Sequence, residues 1–362
     1  MTRVSHAKKK ISFGILLSGV LLLTACRSAP LLNQRVILRN IGIDATEPGF
    51  SVTANAFIAA RNDGEGDVVQ ISGEGQTVTD AVEAMALTTG GQPYFSHNRA
   101  VVIGKTLAEQ GIGGMMHFFS SYYECRGTAV LYVAEGKAAE MIEQAEQDPG
   151  LAAGLDDLAR IGAENGSSVE TAVWETSKNL CDPDVDFCLP RLVSDGESVW
   201  VDGSVVFRGD RMVGTLSEAE TKGLLILRGE PEFCSVTWKS EALGAVTVVI
   251  SQIQSKLNLD CSGETPRFTV SVKCVGTLGE RTNAEKADST FLVLAEEECA
   301  AEITHWIRLA IRTALRQNGA DPFGFGRTLR QKEPQIWAEM DEEWHTFLQK
   351  CRYQAEVSVR CR

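Results

Sequence analysis

One cysteine carries the sharpest chemical signal in this chain of 362 residues. Leu23-Thr24-Ala25-Cys26 places a thiol directly after small residues, at the end of an apolar run from Ile11 to Leu23 that follows Lys8, Lys9 and Lys10. A cationic head, about thirteen apolar residues and a small-residue cleavage point fit an export signal, whereas a retained membrane span needs roughly 20. A thiol at this place is the acceptor of a diacylglycerol in bacterial lipoprotein processing. The expectation is therefore cleavage before Cys26, acylation of its sulfur with palmitate-type chains, and a mature chain that begins there. The competing reading, an ordinary secretory signal with a chance cysteine, is disfavoured by Leu23 and Ala25.

The other reactive residue types do not assemble into a catalytic pattern. His6 falls in the signal, and His97, His117, His305 and His345 show no pair at ligand spacing and no His-Glu-x-x-His. Nine cysteines follow Cys26, an odd number scattered from Cys125 to Cys361, unlike the dense even sets of small secreted scaffolds. Most read as small buried hydrophobes. Cys181 and Cys188, flanking a Pro/Asp loop, are the best-placed disulfide candidates, although nearness in sequence does not fix nearness in space. Gly73-Glu74-Gly75 and Gly324-Phe325-Gly326 complete neither a phosphate loop nor a dinucleotide fingerprint and read as tight turns. No Gly-x-Ser-x-Gly elbow is present. The expectation is a chain without catalytic residues, cofactor or metal, in which Cys26 alone has assigned chemistry.

Charge narrows the partners. The formal charge is −13, and removal of residues 1–25 takes away four cations and no acid, giving −17. That sign argues against a nucleic-acid footprint and against electrostatic adhesion to anionic headgroups, so attachment to a membrane falls to the acyl chains. No second apolar run of 18 or more residues follows Cys26.

Patterning indicates an α+β, multi-domain chain. After a short tether, Val36 to Asp44 and Phe50 to Ala59 read as a hairpin about Glu47-Pro48-Gly49, followed by a turn at Gly64-Glu65-Gly66 and a strand from Val68 to Ile71. Thr77 caps a helix to Leu87; Arg99 to Ile103 and Thr128 to Ala134 are short strands; Thr106 to Ser120 is helical but broken by glycines; Lys137 to Gln147 is a helix. Asp182 to Gly203, with Pro183, Pro190 and several acids, reads as a linker. Ser204 to Phe207, Arg211 to Gly214, Leu224 to Leu227, Ala245 to Ile250, Gln254 to Leu259 and Phe268 to Val275 read as strands. From Ala295 to Gln317 the apolar set Cys299, Ile303, Trp306, Ile307, Ala310, Ile311 and Leu315 follows helical spacing, with Asn318-Gly319 as its stop. Trp337 and Trp344, seven apart, would share a helix face, and a last strand alternates through Ala355, Val357, Val359 and Cys361. A long helix and a returning strand suggest packing on an antiparallel or mixed sheet. The expected division is a signal peptide at 1–25, an N-terminal α+β domain at 26–195, a strand-rich middle domain at 196–280 and a C-terminal α+β domain at 281–362.

In their order along the chain, several motifs resemble the Ger(x)C family, the C subunits of bacterial spore germinant receptors. They are Ile41-Gly42-Ile43-Asp44, Ser72-Gly73-Glu74-Gly75-Gln76-Thr77, Tyr94-Phe95-Ser96-His97 before Val101-Val102-Ile103-Gly104, Glu220-Thr221-Lys222-Gly223-Leu224, and Asp321-Pro322-Phe323-Gly324-Phe325-Gly326 followed by Pro334, Trp337, Trp344 and Phe347. Arg27 to Leu32 stands where the family usually has a Trp and an acidic cluster, and only Arg126 remains of an arginine-rich turn. The resemblance implies three α+β domains and a non-enzymatic lipoprotein on the outer face of the spore inner membrane. It also implies work with a polytopic A subunit and a transporter-like B subunit, in nutrient-triggered germination. The alternative is a lipid-anchored solute-binding protein of a transporter, whose lobes would show repeated strand-helix alternation where residues 204–275 show consecutive strands. A cell-wall hydrolase would require paired catalytic acids or a metal cluster, and no sharp candidate for either is present.

Overall fold

In the computed structural model the chain first turns back on itself at Glu47-Pro48-Gly49, joining β1 (Arg35–Thr46) to β2 (Gly49–Ile58) with Thr46 opposite Gly49. The structure describes residues 35–58, 67–122, 124–151, 154–231, 233–240, 244–282, 289–340 and 343–362. Cys26 and the expected turn at Gly64-Glu65-Gly66 lie outside them.

β3 (Asp67–Gly75) adds to β2, and α1 (Val78–Thr89) returns across the sheet. Thr77 caps α1 by accepting the Asp80 N–H while Asp80 answers the Thr77 N–H, satisfying donors that the first turn leaves open. Then come β4 (Gln92–Tyr94), β5 (Ala100–Ile103), α2 (Lys105–Gln110), α3 (Gly113–Ser121), β6 (Val130–Ala134), α4 (Ala138–Gln147), α5 (Leu155–Glu164) and α6 (Val173–Leu180). β7 (Phe187–Ser194), β8 (Val199–Arg208) and β9 (Arg211–Leu216) close the sheet, whose order is β3-β2-β1-β5-β6-β7-β8-β9 with β4 beside β1. Its centre, β1, β5, β6 and β7, is parallel, and both faces are covered. Val101 and Ile103 pack under α1 to α3, while Ala100 and Val102 pack under α4 and α5. Burial on both sides explains why these strands read as unbroken apolar runs.

α7 (Glu218–Arg228) leads into a second sheet of β10 (Cys234–Ser240), β11 (Gly244–Asp260), β12 (Arg267–Arg281) and β13 (Arg352–Cys361), in that order. Between β12 and β13 run α8 (Ser289–Ile311), a wider π turn at 312–317, α9 (Phe325–Lys332), α10 (Pro334–Met340) and α11 (Trp344–Lys350). β13 lies parallel to β12, so this sheet is mixed. The expected apolar set on the long helix is buried in full, packed with α7 against Phe268, Val270 and Val272. α7 and α8 touch backbone to backbone: a Cβ on Gly223 would sit 2.3 Å from the Trp306 carbonyl oxygen.

The structure corrects five expectations. Asp182 to Gly203 is no linker; it supplies β7 and the start of β8, and Pro190 is accommodated at a register shift in the ladder. Leu224 to Leu227 is helical, because Ser217 and Glu220 form a capping box at the start of α7 and the leucines are buried around the helix. Ala245 to Ile250 and Gln254 to Leu259 are one strand, kinked by a bulge between Ile250 and Gln252. Trp337 and Trp344 stand on separate helices, yet their rings meet at 5.5 Å. Cys181 and Cys188 are unpaired, one exposed and the other buried. In addition, β8 and β9 complete the first sheet rather than joining the strands that follow them, and α5 and α6 carried no expectation.

Candidate functional site

A cleft of about 690 Å³ opens where the two sheets' elements meet, within the size range of ligand clefts. One wall is α6 with its approach, contributing Glu170, Trp174 and Lys178; the opposite wall is the turn from Asp321 to Thr328. β7 begins at its floor, next to Asp186.

Three buried side chains hold the walls together. Asp186 Oδ2 accepts the Asp321 N–H at 2.7 Å and lies 2.8 Å from His345 Nε2. The Asp321 carboxylate in turn accepts the N–H of Phe323 at 3.2 Å and of Gly326 at 2.7 Å, folding Asp321-Pro322-Phe323-Gly324-Phe325-Gly326 into the entry of α9. Burial nevertheless pushes the Asp321 carboxyl up to about 6, outweighing the backbone donors that favour its charge. Gly326 leaves room for the Trp344 ring, whose nearest carbon would be 2.8 Å from an added Cβ. His345 stacks on Trp344 with centroids 3.5 Å apart, and its ring is not among the groups lining the cleft. The Asp–His pair is thus a joint between elements rather than an acid–base pair facing solvent. Arg228 reinforces it by donating from Nε to the Pro322 carbonyl at 2.8 Å, and Arg330 pairs with Asp184 across the same boundary.

The remaining motifs are architectural too. Asp44, at the end of Ile41-Gly42-Ile43-Asp44, accepts the N–H groups of Ala138 and Ala139 at 2.8 and 3.0 Å and seats the N-terminus of α4. Ser72 to Thr77 is where α1 lies on β3: a Cβ on Gly73 would be 2.2 Å from the Ala81 carbonyl oxygen. At the start of α1 the capping box takes the Asp80 and Thr77 N–H groups. Arg35 lies over the Tyr94 ring at 4.2 Å, and Tyr94 meets His97. Among the described residues no group of three or more His, Cys, Asp or Glu is placed to hold a metal, and no helix is long and apolar enough to cross a membrane. Cys26, expected to carry the lipid, is outside the described residues. The cleft and the Asp186–His345 joint were not anticipated. Asp321 stands out in sequence only as part of its motif, and no local signal marks residues 159 apart in sequence as a pair.

Comparison with known proteins places both halves in one group. Residues 29–194 match the spore germination protein N-terminal domain, and residues 202–362 match the C-terminal domain described as spore germination B3/GerAC like. Spore germination protein KC of Bacillus subtilis (strain 168) is 23% identical, over 91% of this chain and 89% of that protein. Spore germination protein YndF of the same organism is 22% identical over 80% of this chain and 73% of that protein. The crystal structure of the GerBC protein superposes with a TM-score of 0.57 at 15% identity, covering 89% of this chain and 96% of that one, which shows a shared fold. With ordered motifs, fold and both domain matches in agreement, this chain belongs to the Ger(x)C family of spore germination proteins.

Proposed function

We infer that the chain is a C-type subunit of a spore germinant receptor, held on the extracytoplasmic face of the spore inner membrane by lipid on Cys26 and assembled with membrane-embedded A and B subunits. The observation that carries this reading is the continuity of the match, which spans both domains and 89% of spore germination protein KC. The acidic charge and the architectural use of every recognised motif support a role in assembly rather than in catalysis. Affinity purification of the tagged full chain from spore membranes tests it: A and B subunits should co-purify, and their absence from a detergent-stable complex would count against the reading. Cys26→Ala should leave the fold intact and release the chain from membranes that lack the partner subunits; full retention there would refute the anchor.

A further inference from the structure

Among the described residues the second sheet ends in an open edge beside a row of arginines. β13 is the last strand in the order β10-β11-β12-β13, and it pairs with β12 in unbroken register from Arg352 to Cys361, with no bulge and no proline. The Arg352 N–H donates to the Pro266 carbonyl and the Arg362 N–H to that of Gly276, so even-numbered residues turn their backbone groups toward β12 and odd-numbered ones turn theirs away. At one end the outward Cys361 N–H is taken by Glu296 of α8 at 2.8 Å. At Tyr353, Ala355 and Val357 the outward N–H groups have no hydrogen bond among the described residues. A straight edge of this kind is a template for one more strand unless something blunts it.

A groove of about 210 Å³ runs beside that edge, lined by Arg308 and Ile311 of α8, Arg312 and Arg316 of the π turn, and Tyr353 and Ala355 of β13. It is smaller than a small-molecule cleft, and its lining holds three cations and no carboxylate. All three arginines are exposed, and none pairs with a carboxylate among the described residues. From Ile303 to Ala320 the chain has no Asp or Glu. Glu302, just before that stretch, accepts the Trp306 indole N–H at 2.8 Å, and Glu356, on the face of β13 opposite Ala355, accepts from Gln354 at 3.1 Å. The arginine spacing matches a strand. Arg308 and Arg312 are about 6 Å apart along the helix at roughly 1.5 Å per residue, and two residues of an extended chain span about 6.6 Å. In the π turn, whose hydrogen bonds reach one residue further, four residues make slightly less than a full turn, which keeps Arg316 in line with Arg312. Every second side chain of an added strand faces the α8 side of the sheet, so alternate acids meet successive arginines while the backbone meets the open edge. We propose that this edge receives an extended segment of a partner protein with acidic residues at alternate positions, added as a strand beside Tyr353 to Val357 with its carboxylates on Arg308, Arg312 and Arg316.

The proposal stands independently of the receptor reading, and its test uses the full chain alone in detergent. Fluorescence anisotropy follows a labelled eight-residue peptide that alternates glutamate with threonine. Three control peptides accompany it: one with lysine at every glutamate, one with the same composition but its glutamates in a single block, and one N-methylated at every residue, which cannot donate to a strand. Saturable binding of the alternating peptide is expected, weakened about tenfold or more in each control and by the double substitution Arg308→Gln and Arg312→Gln. Lys105→Ala, which removes an exposed cation of α2, should leave it unchanged. Circular dichroism confirms that each variant is folded. Equal affinity for any control peptide, or insensitivity to the double substitution in a folded chain, would overturn the proposal. So would displacement of the peptide by inorganic phosphate at comparable concentration, which would assign the arginines to a phosphate group. A dimer in analytical ultracentrifugation that the same double substitution dissolves would also overturn it, assigning the edge to a second copy of the chain.

Discussion

His345 Nε2 lies 2.8 Å from Asp186 Oδ2, joining α11 near the end of the chain to the residue that opens β7 in the first sheet. Both side chains are buried, and the same carboxylate oxygen also accepts the Asp321 N–H. One acceptor therefore serves two elements. His345→Ala removes a single partner and should cost about 1–3 kcal/mol. Asp186→Ala leaves two buried groups without an acceptor and should cost about 3 kcal/mol or more. Urea unfolding of the full chain ranks them, and a larger loss in His345→Ala would contradict the shared-acceptor geometry.

Asp321 links the same joint to pH. Its carboxyl holds a proton to about 6 in the folded chain against 3.8 ordinarily, so across that window the folded state binds more protons than the unfolded state. Stability from this group is greatest below 3.8 and declines as pH rises to about 6. The decline is of order 2–3 kcal/mol. Unfolding midpoints followed across that range should show it as a difference between the wild-type chain and Asp321→Asn, in which the window is absent; parallel profiles would refute the burial argument.

Gly326→Ala and Gly324→Ala separate two uses of glycine in one turn. The first drives a methyl against the Trp344 ring, with carbons 2.8 and 2.9 Å away, and should cost about 1–3 kcal/mol while disturbing tryptophan emission. The second meets nothing within 4 Å and bears only its left-handed backbone, φ +82°, worth about 1 kcal/mol. Thermal unfolding with fluorescence detection distinguishes them, and an unchanged emission in Gly326→Ala would contradict the close approach.

The thiols give a chemical check on the fold. Cys181 is exposed, whereas burial pushes the Cys188 thiol up to about 12. Iodoacetamide should modify Cys181 first in the native chain and all nine cysteines from Cys125 to Cys361 after unfolding without reductant. Two unmodified thiols at Cys181 and Cys188 would reveal a disulfide and contradict the structure.

How much of this was legible depended on how local the signal was. Cys299, Ile303 and Ile307 announce α8 because helical spacing is read within one segment, and Phe268 to Cys274 announce β12 by alternation. Leu224 to Leu227 misled because an apolar run of four fits a buried helix as well as a strand, and only the Ser217 cap decides. Pro190 suggested a linker because its missing N–H argues against a strand interior, yet a bulge makes room for it. The cleft and the joint beneath it were invisible for a different reason: Trp174, Asp186 and Arg327 of the cleft, and His345 of the joint, come from four segments that only the tertiary fold brings together. Asp321 stood out within its motif, but that its carboxylate organises a turn instead of a reaction follows from the N–H groups it accepts.

The most direct test of the central claim is nutrient-triggered germination of spores from which this gene is deleted, in a background with no other intact C subunit. Germination should be lost, and a copy encoding the full chain should restore it. Normal germination of the deleted spores would contradict assignment of the chain as a receptor subunit.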